Sequence, residues 1–234
     1  MIGAAASLAA GPVAATPGEA DFQSGGTAIA AEWFAAENRA TGPAPAVLLL
    51  HGADGLAYGD RYRLAAGLVA GAGFHVGLLH YLDRTGERRV AYSTLRERYP
   101  LWLATIRDGL TWAAGRPDVD PDRLGILGVS LGAALALSAA AANRRVRAVV
   151  GYSGPCPEDL SAATHLPPTL ILHGESDRTV PVREARKIGA ILAELGTPHE
   201  IHTYPGQGHA LSGAAQLDAA ARTAAFLAQH LAGS

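Results

Sequence analysis

The sequence predicts an α/β fold with a mostly parallel central sheet and helices on both faces, and three observations predict it. Wholly apolar runs of strand length recur along the chain, as in "APAVLLL" (44–50) and "LGILGVS" (124–130). Runs with no polar alternation belong to strands buried on both faces, the signature of a parallel sheet. These runs are separated by segments of helical length and composition rather than by hairpin turns, which points to crossover connections. Finally, 234 residues that are 49% hydrophobic can bury a sizeable core.

In chain order, "TAIAAEWFAA" (27–36) reads as an opening strand and 44–50 as a buried strand ending in His51-Gly52. A helix follows over 62–73, and "HVGLLHYL" (75–82) is predicted as a strand. Helix formers fill 94–115, after which "RPDVDPDR" reads as a turn. The strand 124–130 runs directly into a small-residue helix, "LGAALALSAAAANRR" (131–145). "VRAVVGYS" (146–153), "PTLILHGES" (168–176) and "HEIHTYPG" (199–206) complete the strands, with helices near 182–195 and 214–231. Residues 22–234 are read as one domain. Residues 1–21 are read as a disordered tail or the remnant of an export signal, with Val13-Ala14-Ala15 as a small-residue cleavage site but no basic segment before it. The location is correspondingly read as cytoplasmic or exported.

Composition excludes several function classes. The net charge is −2, Lys187 is the only lysine and the arginines are scattered, so no basic stripe offers itself to nucleic acid. One cysteine, Cys156, forms no internal disulfide and no multi-cysteine metal site. It lies in the proline-flanked "GPCPED" and is read as packed or idle. No run is long and apolar enough to span a bilayer. There is no Gly-x-Gly-x-x-Gly and no Gly-Lys-Ser/Thr, so no nucleotide site is read. No cofactor or metal is implied, and the oligomeric state is left open.

In a parallel α/β fold, ligands bind at the carboxyl ends of the strands. Ser130 lies there, in "GVSLG", where a strand meets a helix with no intervening loop. Side chains two residues before and after a serine in so tight a turn would collide with strand and helix, and Gly128 and Gly132 remove them. The helix N-terminus also favours developing negative charge. The competing use of such a serine is as a simple N-cap. A serine hydroxyl needs a base and a group to orient that base. His209, in the glycine-rich "YPGQGHAL", is the best base, and Asp177, in "LILHGESDRTVP", the best orienting acid. The order Ser, Asp, His suits the fold. Oxyanion donors are expected at the N–H of Leu131 and at that of Ala53 in "LLLHGADGL", with Asp54 as the alternative. His51 and His173 read as structural. Asp54, His80, Tyr81, Tyr152 and Ser153 are candidates for lining the substrate pocket.

Together "LLLHGADGL", "GVSLG", "LILHGESDRTVP" and "PGQGHAL" resemble the alpha/beta-hydrolase superfamily, specifically its dienelactone hydrolase-like branch, over about residues 22–231. The resemblance implies catalysis by Ser130, Asp177 and His209 and hydrolysis of a carboxylic ester or lactone through an acyl-enzyme. The sequence departs from dienelactone hydrolase itself in two places: it has Ser130 where that enzyme has cysteine and Gly52 where it has glutamate. A chlorocatechol-derived dienelactone is therefore not the expected substrate. Only about fifteen residues separate the strand 146–153 from the acid strand, so no sizeable lid domain is expected and small soluble esters are favoured. A peptidase or amidase using the same three residues is the alternative, and a non-catalytic binding protein on this fold a more distant one.

Overall fold

The computed structural model describes residues 17–37 and 42–231. Eight strands form one sheet: β1 (Gly18–Ser24), β2 (Thr27–Phe34), β3 (Ala44–Leu50), β4 (His75–Leu79), β5 (Val119–Val129), β6 (Val146–Tyr152), β7 (Thr169–Gly174) and β8 (His199–Tyr204). Their spatial order is β1-β2-β4-β3-β5-β6-β7-β8. The pairs β1–β2 and β2–β4 are antiparallel, and every other pair is parallel. Five helices connect or close these units: α1 (Gly59–Gly71), α2 (Leu95–Ala114), α3 (Leu131–Ala141), α4 (Arg183–Glu194) and α5 (Gly213–Leu231).

The period of two along each strand divides the core into two layers. Val47 and Leu49 of β3 pack with Tyr62, Ala66 and Val69 of α1 and with Phe226 and Leu227 of α5. Leu48 and Leu50 point the other way, into a layer with Trp102 and Ile106 of α2, Leu135 of α3 and Ile188 of α4. Helix α3 has no polar face, and residues 131–140 are all buried. Its alanines bring it close to the sheet, with its N-terminus set against the ends of β3 and β5.

Three sequence readings need correction. β1 was not read as a strand. It begins at Gly18, ahead of the boundary placed at residue 22, and is held by a full ladder to β2 from Gly18↔Trp33 to Ser24↔Thr27. The expectation for residues 1–16 lies outside the described residues. The strand read over 75–82 stops at Leu79 and turns into a 3₁₀ segment, Tyr81–Thr85, because Tyr81 and Leu82 are drawn into the core. The segment read as a turn over 116–123 is the start of β5: Val119 is buried and pairs with Ala44, and the register shifts before Ala46 pairs with Leu124.

The topology also places the site. The connection from β3 leads to β4 on one side, whereas β5 and its successors add on the other, so chain direction across the sheet reverses between β3 and β5. Leu50 pairs with Gly128 at that point. The crevice outside the carboxyl ends of two such strands is where open α/β sheets bind ligands. Among the described residues no helix is long and apolar enough to cross a membrane.

Candidate active site

The turn from β5 into α3 is strained as the glycine spacing requires. Ser130 has φ 54° and ψ −117°, a conformation that L residues rarely adopt. A Cβ on Gly128 would overlap the carbonyl of Gly132, and one on Gly132 would overlap the carbonyls of Leu50 and His51. Both obstacles are backbone, so neither can rotate away. Ser130 N–H is fixed by the carbonyl of Tyr152 at 2.8 Å, and its own carbonyl accepts from Ala133 at 3.0 Å. The serine thus occupies the N-cap position, yet its side chain makes no capping hydrogen bond.

Its hydroxyl goes to His209 instead. Ser130 Oγ lies 3.0 Å from His209 Nε2, and His209 Nδ1 lies 2.8 Å from Asp177 Oδ2. A carboxylate only accepts, so Nδ1 carries the imidazole proton and Nε2 is left to accept from the serine hydroxyl. The Asp177 side chain is fully buried, whereas that of His209 is 30% exposed. The second carboxylate oxygen, Oδ1, accepts from the backbone N–H of Thr179 at 2.8 Å and of Val180 at 2.9 Å. These bonds fix the carboxylate plane from behind. The acid and base loops are tied together: Ser176 N–H donates to Gln207 O at 2.8 Å, and Glu175 N–H to Tyr204 O at 3.0 Å. Gly174 allows this approach, since a Cβ there would strike the carbonyls of Gln207 and Gly208.

The N–H groups expected as oxyanion donors lie on the first residue of α3 and on the loop after β3. Among the described residues the N–H groups of Leu131, Ala53 and Asp54 donate to nothing. The 51–54 loop abuts Ser130, with the Cβ direction of Gly52 ending 3.4 Å from Ser130 Cβ. Beside the loop opens a cavity of about 440 Å³ lined in part by His51, Asp54, Leu56, His80, Arg88 and Arg89.

The five pocket-lining candidates separate. Asp54 and His80 line this cavity, although His80 is 3.1 Å from Glu32, which Arg63 also grips at 2.7 and 2.9 Å. Burial works against the Glu32 charge, but its bonds to Arg63 and His80 hold its carboxyl below the ordinary range. Tyr81 does not line a pocket: it is fully buried and donates to His51 O at 2.9 Å. The Tyr152 side chain turns toward α5, donating to Ala219 O at 3.0 Å beside Thr223. Burial raises its hydroxyl pKa to about 12. Ser153 is 1% exposed and has φ 49°, a second strained residue at the end of β6. The two tyrosines are corrected from pocket lining to internal support, because their hydroxyls are engaged by His51 and by α5, and Ser153 is too buried to offer a surface to the cavity.

Sequence reading missed two contributors. Tyr62 was read only as the start of a helix, but its hydroxyl accepts from Gly52 N–H at 2.9 Å. The support of Asp177 by Thr179 and Val180 was also missed, although an aspartate whose carboxylate bonds N–H groups two and three residues on is a recognisable turn signal. The two structural histidine readings hold. His173 Nε2 lies 2.8 Å from Val180 O, and His51 Nδ1 2.8 Å from Gly52 O.

Burial drives the His51 imidazole pKa down from 6.5 to about 4. The unfolded chain therefore takes up this proton first as the pH falls. The associated stability is full above about pH 6.5 and is lost progressively toward pH 4, which amounts to about 2 kcal/mol by pH 5. Urea unfolding at about pH 7.5 and pH 5 should show that drop; equal free energies at the two pH values would contradict a neutral buried His51.

The "Dienelactone hydrolase family" matches this chain over residues 31–230. A Mycobacterium tuberculosis protein named as a phosphoribosyl transferase is 30% identical over 194 residues, 82% of this chain and 42% of that protein. The chain thus spans about two fifths of the length of the curated relatives it matches. A Klebsiella pneumoniae protein titled as a dienelactone hydrolase superposes with a TM-score of 0.79 at 23% identity, over 92% of this chain and 98% of the other. A dienelactone hydrolase-like promiscuous phosphotriesterase from metagenomic libraries gives 0.78 at 20% identity, with the same coverage. At these identities the two structures establish the shared alpha/beta-hydrolase fold. With the family match spanning most of the sequence and the whole of the central sheet from β3 onward, the chain belongs to the dienelactone hydrolase family.

Proposed function

We propose that this protein is a serine hydrolase that cleaves small carboxylic esters or lactones through an acyl-enzyme. The carrying observation is the unbroken hydrogen-bond series Asp177–His209–Ser130, in which a serine at a helix N-terminus leaves its capping role and faces a base. His209 takes the proton as Ser130 Oγ attacks the carbonyl. Asp177 holds the imidazole tautomer and stabilises the imidazolium, and Leu131 and Ala53 N–H bind the oxyanion. His209 returns the proton to the leaving alcohol, then activates the water that hydrolyses the acyl-enzyme.

The short connection over the site supports the substrate class. Between β6 and β7 the chain forms one 3₁₀ turn, Glu158–Ala162, and no helical domain is inserted there, while the cavity beside the 51–54 loop is lined by none of Ser130, Asp177 and His209. The short connection favours small esters over long acyl chains. The transferase in the curated relatives' name belongs to proteins more than twice the length of the matched region and is not carried over.

A panel of p-nitrophenyl esters, a small lactone, a p-nitroanilide and a phosphotriester tests the reading. Short-chain esters or lactones should turn over at least about a hundredfold faster than the anilide, and a fluorophosphonate should label the protein. Faster anilide turnover would favour the peptidase alternative. A preference for acyl chains of about ten carbons or more would overturn the open-site argument, and absence of both labelling and turnover would remove the hydrolase reading.

A further inference from the structure

We propose that Tyr62 and Tyr81 are positioning residues for oxyanion stabilisation: their buried hydroxyls clamp the two ends of the His51–Gly52 peptide and so fix the loop that offers Ala53 and Asp54 N–H. The inference rests on the serine hydrolase reading above and adds two residues from separate elements to it. Tyr81 O–H donates to the carbonyl of His51 at 2.9 Å. The N–H of Gly52, the other end of that same peptide, donates to Tyr62 Oη at 2.9 Å. Because an amide N–H can only donate, the Tyr62 hydroxyl must accept there, and its own proton is directed to Asp54 Oδ1, 3.1 Å away.

The clamp matters because Gly52, beside Ala53, has no Cβ to restrict its backbone. Glycine tolerates peptide flips that other residues resist, and a flip next to Ala53 would replace a donor by a carbonyl at the oxyanion position. The remaining carbonyls are held as well: Gly52 O accepts from Gly55 N–H at 3.1 Å, and Ala53 O from Val90 N–H at 2.8 Å. Every carbonyl from His51 to Ala53 is thus engaged, while the N–H groups of Ala53 and Asp54 stay free among the described residues. The clamped peptide also touches the elbow, since a Cβ on Gly132 would meet His51 O. The Tyr81 ring adds stiffness by stacking on His51 with centroids 4.2 Å apart. Both phenols are buried, and burial pushes both hydroxyls well above their ordinary pKa, so they remain protonated donors.

Tyr62→Phe and Tyr81→Phe remove one hydroxyl each and keep the rings. Each should lower kcat for a p-nitrophenyl ester by about tenfold to a hundredfold with KM changed less than about threefold, the pattern of an interaction realised in the transition state. Affinity for a trifluoromethyl ketone, which forms a tetrahedral adduct with the serine, should weaken in parallel. Tyr99→Phe is the control: Tyr99 Oη bonds Ser138 Oγ at 2.9 Å between α2 and α3, and its loss should leave kcat unchanged. Thermal midpoints are read alongside, and if Tyr81→Phe folds poorly, Tyr62→Phe carries the test alone. Lower midpoints with unchanged kcat and ketone affinity would mean that the phenols only pack, and would overturn the proposal. Ser130→Ala separates the two levels: if it retains turnover, the serine hydrolase reading fails, whereas if it is inactive and both phenylalanine variants match wild type, only the clamp fails.

Discussion

Ser130→Ala is expected to lower kcat for a p-nitrophenyl ester by about 10⁵- to 10⁶-fold, the scale seen when a nucleophile acting as a unit with its base is removed. The reason is structural. Ser130 Oγ is the group that His209 Nε2 reaches at 3.0 Å, and Cys156, the single thiol, bonds instead to Pro157 O and lies in a separate loop. Residual activity would come from binding and oxyanion donors alone. Fluorophosphonate labelling, followed by intact-protein mass, should disappear. Ser130→Gly should be equally inactive but about 1 kcal/mol more stable than Ser130→Ala, because glycine adopts φ 54° without the strain that alanine retains. Labelling that survives in both variants, or turnover within a hundredfold of wild type, would move the nucleophile elsewhere.

Gly132→Ala is expected to cost about 3 kcal/mol or more of stability. The added methyl would be forced into the carbonyls of Leu50 and His51, the end of β3, where no side chain can rotate aside. For a chain of this size that corresponds to a thermal midpoint lower by roughly 6–12 °C. Relief requires α3 and β3 to separate, and that movement would carry the Ser130 elbow away from the 51–54 loop. Activity per folded molecule should therefore fall together with stability. Gly67→Ala is the contrasting change: a Cβ there meets nothing within 4 Å, and residue 67 lies inside α1, so its midpoint should be unchanged or slightly higher. Calorimetry of the two variants checks the pair, and equal midpoints would show that the elbow tolerates more movement than its backbone contacts imply.

The strands that form the parallel core were legible because each is a short apolar run between turn signals. "APAVLLL" was bounded correctly at both ends, since burial on both faces leaves no polar residue to confuse the pattern. β1 was not legible: "GEADFQS" alternates polar and apolar at an edge, and only its ladder to β2 defines it. The end of β4 was misplaced for a related reason. Leu82 and Tyr81 look like further strand residues, but their burial is achieved by a turn in which the Tyr81 hydroxyl reaches His51 O, a contact between residues distant along the chain.

The site divides along the same line. Local sequence was enough to single out Ser130, Asp177 and His209, which the fold brings within hydrogen-bonding distance of one another, because a tight strand-to-helix turn demands small neighbours and loops after strand ends carry their own glycine and proline signals. The conformation of Ser130 was likewise implied by Gly128 and Gly132. Sequence could not show that Tyr81 and Tyr152 turn inward, or that Tyr62, ten residues past Gly52, reaches back to hold its N–H. Those outcomes depend on which side chains fill the space between sheet and helices, and that competition is settled only when the elements pack. The sequence by itself determined the alternation of buried strands and helices from β2 onward and the chemical groups at their ends. The tertiary structure decided which polar groups point into the crevice between β3 and β5, because direction there is set by contacts between residues distant along the chain.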